Sequence, residues 1–146
     1  MRRLSGVDSA FIYGETPTWH MHVCSLIIAD PSDMEDGFDV ERLKRQLVER
    51  LPQVPQFRWK LVEVPLHLDR PGWIEDADFD IDYHVRRIAV PSPGGSDELI
   101  RLVGDLACDQ LERCRPLWEL WVSEGVVVGR VASFARIHQA IFDGGS

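Results

Sequence analysis

The stretch that most constrains the fold runs from Leu117 to Gln139. Leu117 to Ser123 reads as a strand, Glu124-Gly125 as a hairpin turn, and Val126 to Gln139 as a second, longer strand. Side chains alternate across a strand. Arg130, Ala132, Phe134, Arg136 and His138 therefore share one face of the second strand, and Val131, Ser133, Ala135, Ile137 and Gln139 share the other. His138 and Gln139 point in opposite directions, and neither can stand in for the other without a bulge or a register change.

Two long helices supply cover for the sheet that such a hairpin needs. Asp39 caps the first, which runs to Leu51, with Phe38 and Leu43 placed for a hydrophobic staple. Its stripe is Val40, Leu43, Leu47, Val48 and Leu51. Ser96 is read as the cap of the second, with Asp97 and Glu98 complementing the dipole in the first turn and Leu99, Leu102, Val103, Leu106 and Leu111 facing inward. Both helices are expected on one face of a mixed sheet. A shorter helix is read from Leu4 to Tyr13, capped by Ser5. His20 to Ala29 is apolar enough for an interior strand. Phe57 to Val64 alternates as a half-buried strand, and Arg70-Pro71-Gly72 signals a type II turn into a return strand at Trp73-Ile74. Phe79, Ile81, Tyr83 and Val85 alternate with polar residues as a further strand or extended arm. Strands interleaved with helices make the class α/β or α+β.

At 146 residues the chain has room for one domain with a real core, and 45% hydrophobic with 27% charged residues is a globular balance. A net charge of −8 argues against nucleic acid, and no basic block is present to hold anionic lipid. No apolar segment follows the charged start, so no signal peptide is read, and the run Val23 to Ala29 is too short to span a bilayer. Cys24, Cys108 and Cys114 are an odd count with no CxxC and are expected as free buried thiols. The expectation is a cytoplasmic chain, peripheral at most to a membrane or lipid surface. His20 and His22 share a strand face but lack a third zinc ligand at a suitable spacing, so no metal is expected. The acidic set Glu75, Asp76, Asp78, Asp80 and Asp82 reads as a solvated edge.

Chemistry concentrates at the end. His138-Gln139, three residues, then Asp143-Gly144 resembles the HHxxxDG motif of CoA-dependent acyltransferases, with glutamine at the second histidine position. Further segments agree in order. Leu4 to Phe11 and His20-Met21-His22-Val23 look like the opening of bacterial wax ester synthase/diacylglycerol acyltransferases. Phe79 to Val85 looks like the family's segment before its second helix, and Arg115-Pro116-Leu117-Trp118-Glu119 is similar to its PLW motif. The resemblance implies a chloramphenicol-acetyltransferase-like half, a single N-terminal domain over 1–146, in a family whose members carry a second half and an active-site channel between the two.

It also implies the chemistry. The second motif histidine takes a proton from a diacylglycerol or long-chain alcohol, whose oxygen attacks the thioester of acyl-CoA. Acyl-CoA is then a co-substrate, and no cofactor is implied. On that carry-over Gln139 occupies the base position, His138 is the first motif histidine, Asp143 orders the loop and Gly144 clears space. Pro116, Leu117 and Trp118 support the motif strand. An amide does not titrate and cannot accept the proton, so activity of this chain alone is not expected. A separate second-half chain or self-association is the expected partnership.

Overall fold

A computed structural model describes residues 1–126 and 129–143, with only the backbone at His67, Gly125 and Asp143. In chain order the elements are β1 (Arg2–Arg3), α1 (Gly6–Gly14), β2 (His22–Ala29), α2 (Val40–Arg50), β3 (Trp59–Val62), β4 (Gly72–Glu75), α3 (Ile81–His84), β5 (Val85–Arg87), α4 (Ser96–Cys108), β6 (Trp118–Val126), β7 (Arg130–His138) and α5 (Gln139–Asp143). Single 3-10 turns lie at Leu51–Gln53, Pro55–Arg58 and Pro65–His67.

Two sheets form. The larger has the order β2-β7-β6-β5, antiparallel except for the parallel β5–β6 pair; the smaller is β1-β4-β3. Local chemistry fixes the helix starts. Ser5 and Asp8 close a capping box on α1, and the Asp39 carboxylate accepts from the N–H groups of Glu41 and Arg42 at 3.0 and 3.1 Å.

Several expectations are corrected. The two long helices lie on opposite faces of the larger sheet. α2 meets the face of Trp118, Leu120, Ala135 and Ile137, whereas Leu99 and Val103 of α4 pack over Trp121, Ser123, Ala132 and Phe134. These two residue sets have opposite parity along β6 and β7. β2 is an edge strand and largely exposed, because only β7 pairs with it. The α4 N-cap is Gly95, whose N–H donates to Glu98 at 3.0 Å, and Ser96 is the first helical residue. Residues 81–84 form one helical turn, because Asp80 caps the N–H of Asp82 at 2.9 Å; the alternation there reads as a strand only until the cap is counted.

Glu124 and Gly125 lie inside β6 rather than in a turn, Val126 pairs with Arg130 of β7, and Gly129 before β7 has φ +70°. Gly72 opens β4 without a positive φ, so the turn before it is not type II. A Cβ there would meet the flexible Met1 side chain at 2.8 Å and the Arg2 carbonyl at 3.3 Å, so the glycine gives β1 room to pair closely. All three cysteines are free but exposed, not buried. Asp76 is buried and paired with Lys60 at 2.9 Å, unlike the solvated acids around it. Among the described residues no helix is long and apolar enough to cross a membrane.

Candidate active site

The motif sits where β7 ends and α5 begins. β7 stops at His138, whose N–H donates to the Leu117 carbonyl at 2.9 Å. Gln139 does not extend the strand as the sequence suggested; it is the first residue of α5, its N–H donating to the Met21 carbonyl at 2.8 Å. The Ala140 N–H turns back onto His138 Nδ1 at 3.1 Å. A helix start leaves backbone N–H groups without helical partners, and here a carbonyl and an imidazole take two of them.

His138 is 1% exposed. Burial, helped by the nearby Arg113 and His22 charges and opposed by Glu15, pushes its pKa down to about 4, so the ring is neutral at pH 7. With Nδ1 accepting from Ala140, the ring proton belongs on Nε2. That nitrogen faces Glu15 Oε1 at 3.8 Å, an electrostatic contact beyond hydrogen-bond length. Glu15 ends α1 and its side chain is 2% exposed. Burial alone would raise its pKa, but Gln110 at 2.9 Å, Arg113 at 3.1 Å and the His138 neighbourhood outweigh that and hold it below the usual carboxylate value. Arg113 also donates to the Ile12 carbonyl at 2.8 Å, tying the loop after α4 to α1.

The PLW residues lie directly under this junction. Leu117 is 1% exposed and holds His138 by its carbonyl, while Trp118 donates Nε1–H to the Phe57 carbonyl at 2.8 Å. Pro116 bridges to Lys60 of β3, joining the two sheets. His84 stacks on Trp118, centroids 4.5 Å apart, and donates from Nδ1 to the Trp118 carbonyl at 2.7 Å. His20 and His22 stack on one another at 5.4 Å, and their Nε2 atoms meet the Cys108 and Ala107 carbonyls at the end of α4. Arg136 closes the same helix end, donating to the Leu106 and Asp109 carbonyls and to Glu119 Oε2. Three basic side chains thus cap a helix that has no basic residue in its own last turn. Among the described residues no cluster of three or more histidine, cysteine or acidic side chains could hold a metal.

The structure therefore brings together His138, Gln139, Leu117 and Trp118. The Asp143 side chain and Gly144 lie outside the described residues. Glu15, Gln110 and Arg113 were not read from the sequence. Their partners are far away in the chain, and the only local signal was a glutamate directly after a helix. On the α2 side of the sheet, a cavity of about 240 Å³ is lined mostly by apolar residues, Leu47, Leu51, Phe57, Leu120, Ala135 and Ile137 among them, together with Arg50 and Glu119.

A mixed sheet between helices, with the HHxxxDG-like sequence beginning where its inner strand β7 ends, is the chloramphenicol-acetyltransferase-like fold that the motif implied. The chain belongs to the wax ester synthase/diacylglycerol acyltransferase family, whose catalytic-domain model matches residues 4–146. A putative diacylglycerol O-acyltransferase of Mycobacterium tuberculosis is 42% identical over 145 residues, which is 99% of this chain and 29% of that protein. A probable diacylglycerol O-acyltransferase of the same species is 43% identical over 142 residues, 97% of this chain and 52% of that protein. The solved wax ester synthase/diacylglycerol acyltransferase of Marinobacter aquaeolei VT8 superposes with a TM-score of 0.81 at 29% identity, covering 98% of this chain and 34% of that one. The starter condensation domain of rhizomide synthetase shares the fold, with a TM-score of 0.69 at 9% identity. The chain thus spans from about 30% to about half of the length of these relatives.

Proposed function

We propose that this chain is the motif-bearing N-terminal half of an acyl-CoA-dependent O-acyltransferase acting on diacylglycerol or a long-chain alcohol, and that by itself it does not turn over. One observation carries the second clause. The residue at the base position is Gln139, and the histidine beside it is sealed, 1% exposed with Nδ1 already engaged by Ala140. A base must reach the proton it abstracts; losing it typically costs on the order of 10²–10⁴ in rate. The polar roles then divide. Gln139 can hydrogen-bond an acceptor hydroxyl but not deprotonate it, His138 holds the turn, and Leu117 and Trp118 brace it from below. The mostly apolar lining of the cavity on the α2 side supports an apolar substrate.

The test compares four combinations using labelled acyl-CoA and diacylglycerol: the chain with Gln139 or with Gln139→His, each with or without the C-terminal half of a relative supplied in trans. Well-placed reactants can be worth roughly 7–11 kcal/mol of barrier, and one half cannot hold both. Only Gln139→His together with the second half should give labelled ester and free coenzyme A. Clear turnover by the unmodified chain alone would overturn the reading.

A second reading is a non-catalytic domain that binds lipid or a partner chain. The exposed apolar edge strand β2 favours it. It predicts that all four combinations stay silent while the chain still binds vesicles or a second chain.

A further inference from the structure

We propose that Glu15 is a positioning residue for the motif: acting through His138, it fixes the first turn of α5 and so the placement of residue 139. The inference rests on position 139 being the chemical position of the site, but its structural half stands on contacts alone.

An imidazole has two neutral tautomers, and its surroundings select one. In one arrangement His138 Nδ1 is bare and accepts the Ala140 N–H at 3.1 Å, while Nε2–H faces the Glu15 carboxylate. In the other, Nδ1–H would confront the Ala140 N–H and the bare Nε2 would confront Oε1. Both contacts would be repulsive. An ionised carboxylate has acceptors only, so it enforces the first arrangement.

The carboxylate is itself held in place. Gln110 at 2.9 Å, Arg113 at 3.1 Å and the Met21 N–H at 3.4 Å converge on it from the loop after α4 and the approach to β2. Met21 also accepts the Gln139 N–H, so one residue contacts both the glutamate and the residue being placed. α1 thereby sets the geometry of a turn at the far end of the sequence, consistent with the packing of Ile12 against Ala140 and Ile141 in one core cluster. A tethered carboxylate that orients a histidine, which in turn orients its neighbour, is the usual logic of outer partners in polar sites.

The experiment uses the 146-residue chain and does not depend on catalysis. Long-range 15N–1H spectra at pH 7 should show His138 with a bare Nδ1 and a protonated Nε2. In Glu15→Gln the amide can offer either a donor or an acceptor. The second tautomer should then appear, Ala140 amide exchange should quicken about tenfold as its acceptor is lost part of the time, and the Gln139 side-chain amide signals should move. Glu15→Asp keeps the charge and should keep one tautomer, and it serves as the reporter if Glu15→Gln does not fold. An Nδ1–H tautomer in the unmodified chain overturns the proposal. So does a folded Glu15→Gln with unchanged His138 tautomer and Ala140 exchange, or a folded Glu15→Asp with mixed tautomers. Silence in the acyl-transfer assay touches none of these readouts, so the two ideas fail separately.

Discussion

β6 and β2 flank the same strand, and they could hardly be more differently housed. Each pairs antiparallel with β7, and each is rich in apolar residues. On β6, Trp118 is 6% and Val122 1% exposed, since α2 covers one face, α4 the other and β5 the far edge. On β2, Ile27 is 60% and Ile28 48% exposed, and no strand pairs with its outer edge among the described residues. Apolar composition therefore does not decide burial. A strand's place in the sheet and the helices laid across it decide, and the motif turn hangs on the sealed side while its backbone partner Met21 leads into the open one.

The largest effect should come from the buried ion pair on the sealed side. Arg136 and Glu119 are 3% and 6% exposed and bonded at 2.5 Å. Arg136→Met keeps the aliphatic stem but removes the shortest charged contact of Glu119, leaving it Arg86 at 3.8 Å and the Trp121 N–H at 3.2 Å, and takes a donor from each of the Leu106 and Asp109 carbonyls. Removing one partner of a buried pair costs about 3–5 kcal/mol. Urea denaturation should show a loss of that size. A loss under 1 kcal/mol would mean that the sealed side is wetter than its contacts indicate.

A matched pair of truncations measures the contrast directly. Val122→Ala removes buried methyl groups and should cost about 2 kcal/mol. Ile27→Ala on β2 removes more carbon but from an open surface, and should stay within about 0.5 kcal/mol. Equal costs in urea would erase the distinction between the two strands.

Acid should also act through the sealed side. His84 and His138 are buried, and burial is the main force holding each below the usual histidine value; His22, half-buried, is lowered for the same reason. The unfolded chain takes up these protons near pH 6.5, whereas folded His138 resists to about pH 4. Between those values the unfolded state binds more protons, so stability falls as pH falls and is fully present above about 6.5. Glu15, depressed in the folded state, adds a further loss below its own unfolded value. Urea midpoints at pH 7.5, 5.5 and 4.5 should decline in that order, and His84→Phe should flatten the decline. A flat profile in the unmodified chain would place these rings in water.

What could be read in advance follows the same division. The Ser5 and Asp39 caps, most of the α2 and α4 stripes and the pairing of β6 with β7 are written in neighbouring residues and were legible, although Val48 of the α2 stripe is exposed, Leu111 lies past the end of α4 and the hairpin does not turn at Glu124-Gly125. His138 and Gln139 are adjacent and stood out together, but the sequence ran the strand through Gln139, where α5 begins. β2 was misread because an apolar run records that a strand is apolar, not how many strands lie beside it. The opposite-face placement of α2 and α4 was invisible for a related reason: each helix shows which of its own faces is apolar, but not which side of the sheet it meets. Residues 79–85 alternate like a strand, and only the Asp80 cap turns them into a helix. Glu15 was missed because its partners Gln110, Arg113 and His138 come from the other end of the chain.

The smallest effect on stability should bring the largest change in association. The β2 segment from Val23 to Ala29 carries no charge and no proline, the two devices that ordinarily blunt an edge. Its backbone groups on the side away from β7 can pair with another strand, and Val23 and Ile27 add apolar side chains on one face. The unmodified chain should therefore sediment as dimers or larger species at micromolar concentration. Ile27→Lys puts a charge on that open face, where the side chain is 60% exposed, so the stability should move by no more than about 0.5 kcal/mol. The same change makes strand addition at this edge place a lysine against an apolar surface, and the species should shift to monomer. Ser123→Lys, on the sealed strand, is the control: at 3% exposure it should unfold the chain and leave no association to measure. If the unmodified chain is already a monomer without lipid or detergent, the open edge is tolerated as it stands, and the difference between β2 and β6 is one of burial alone.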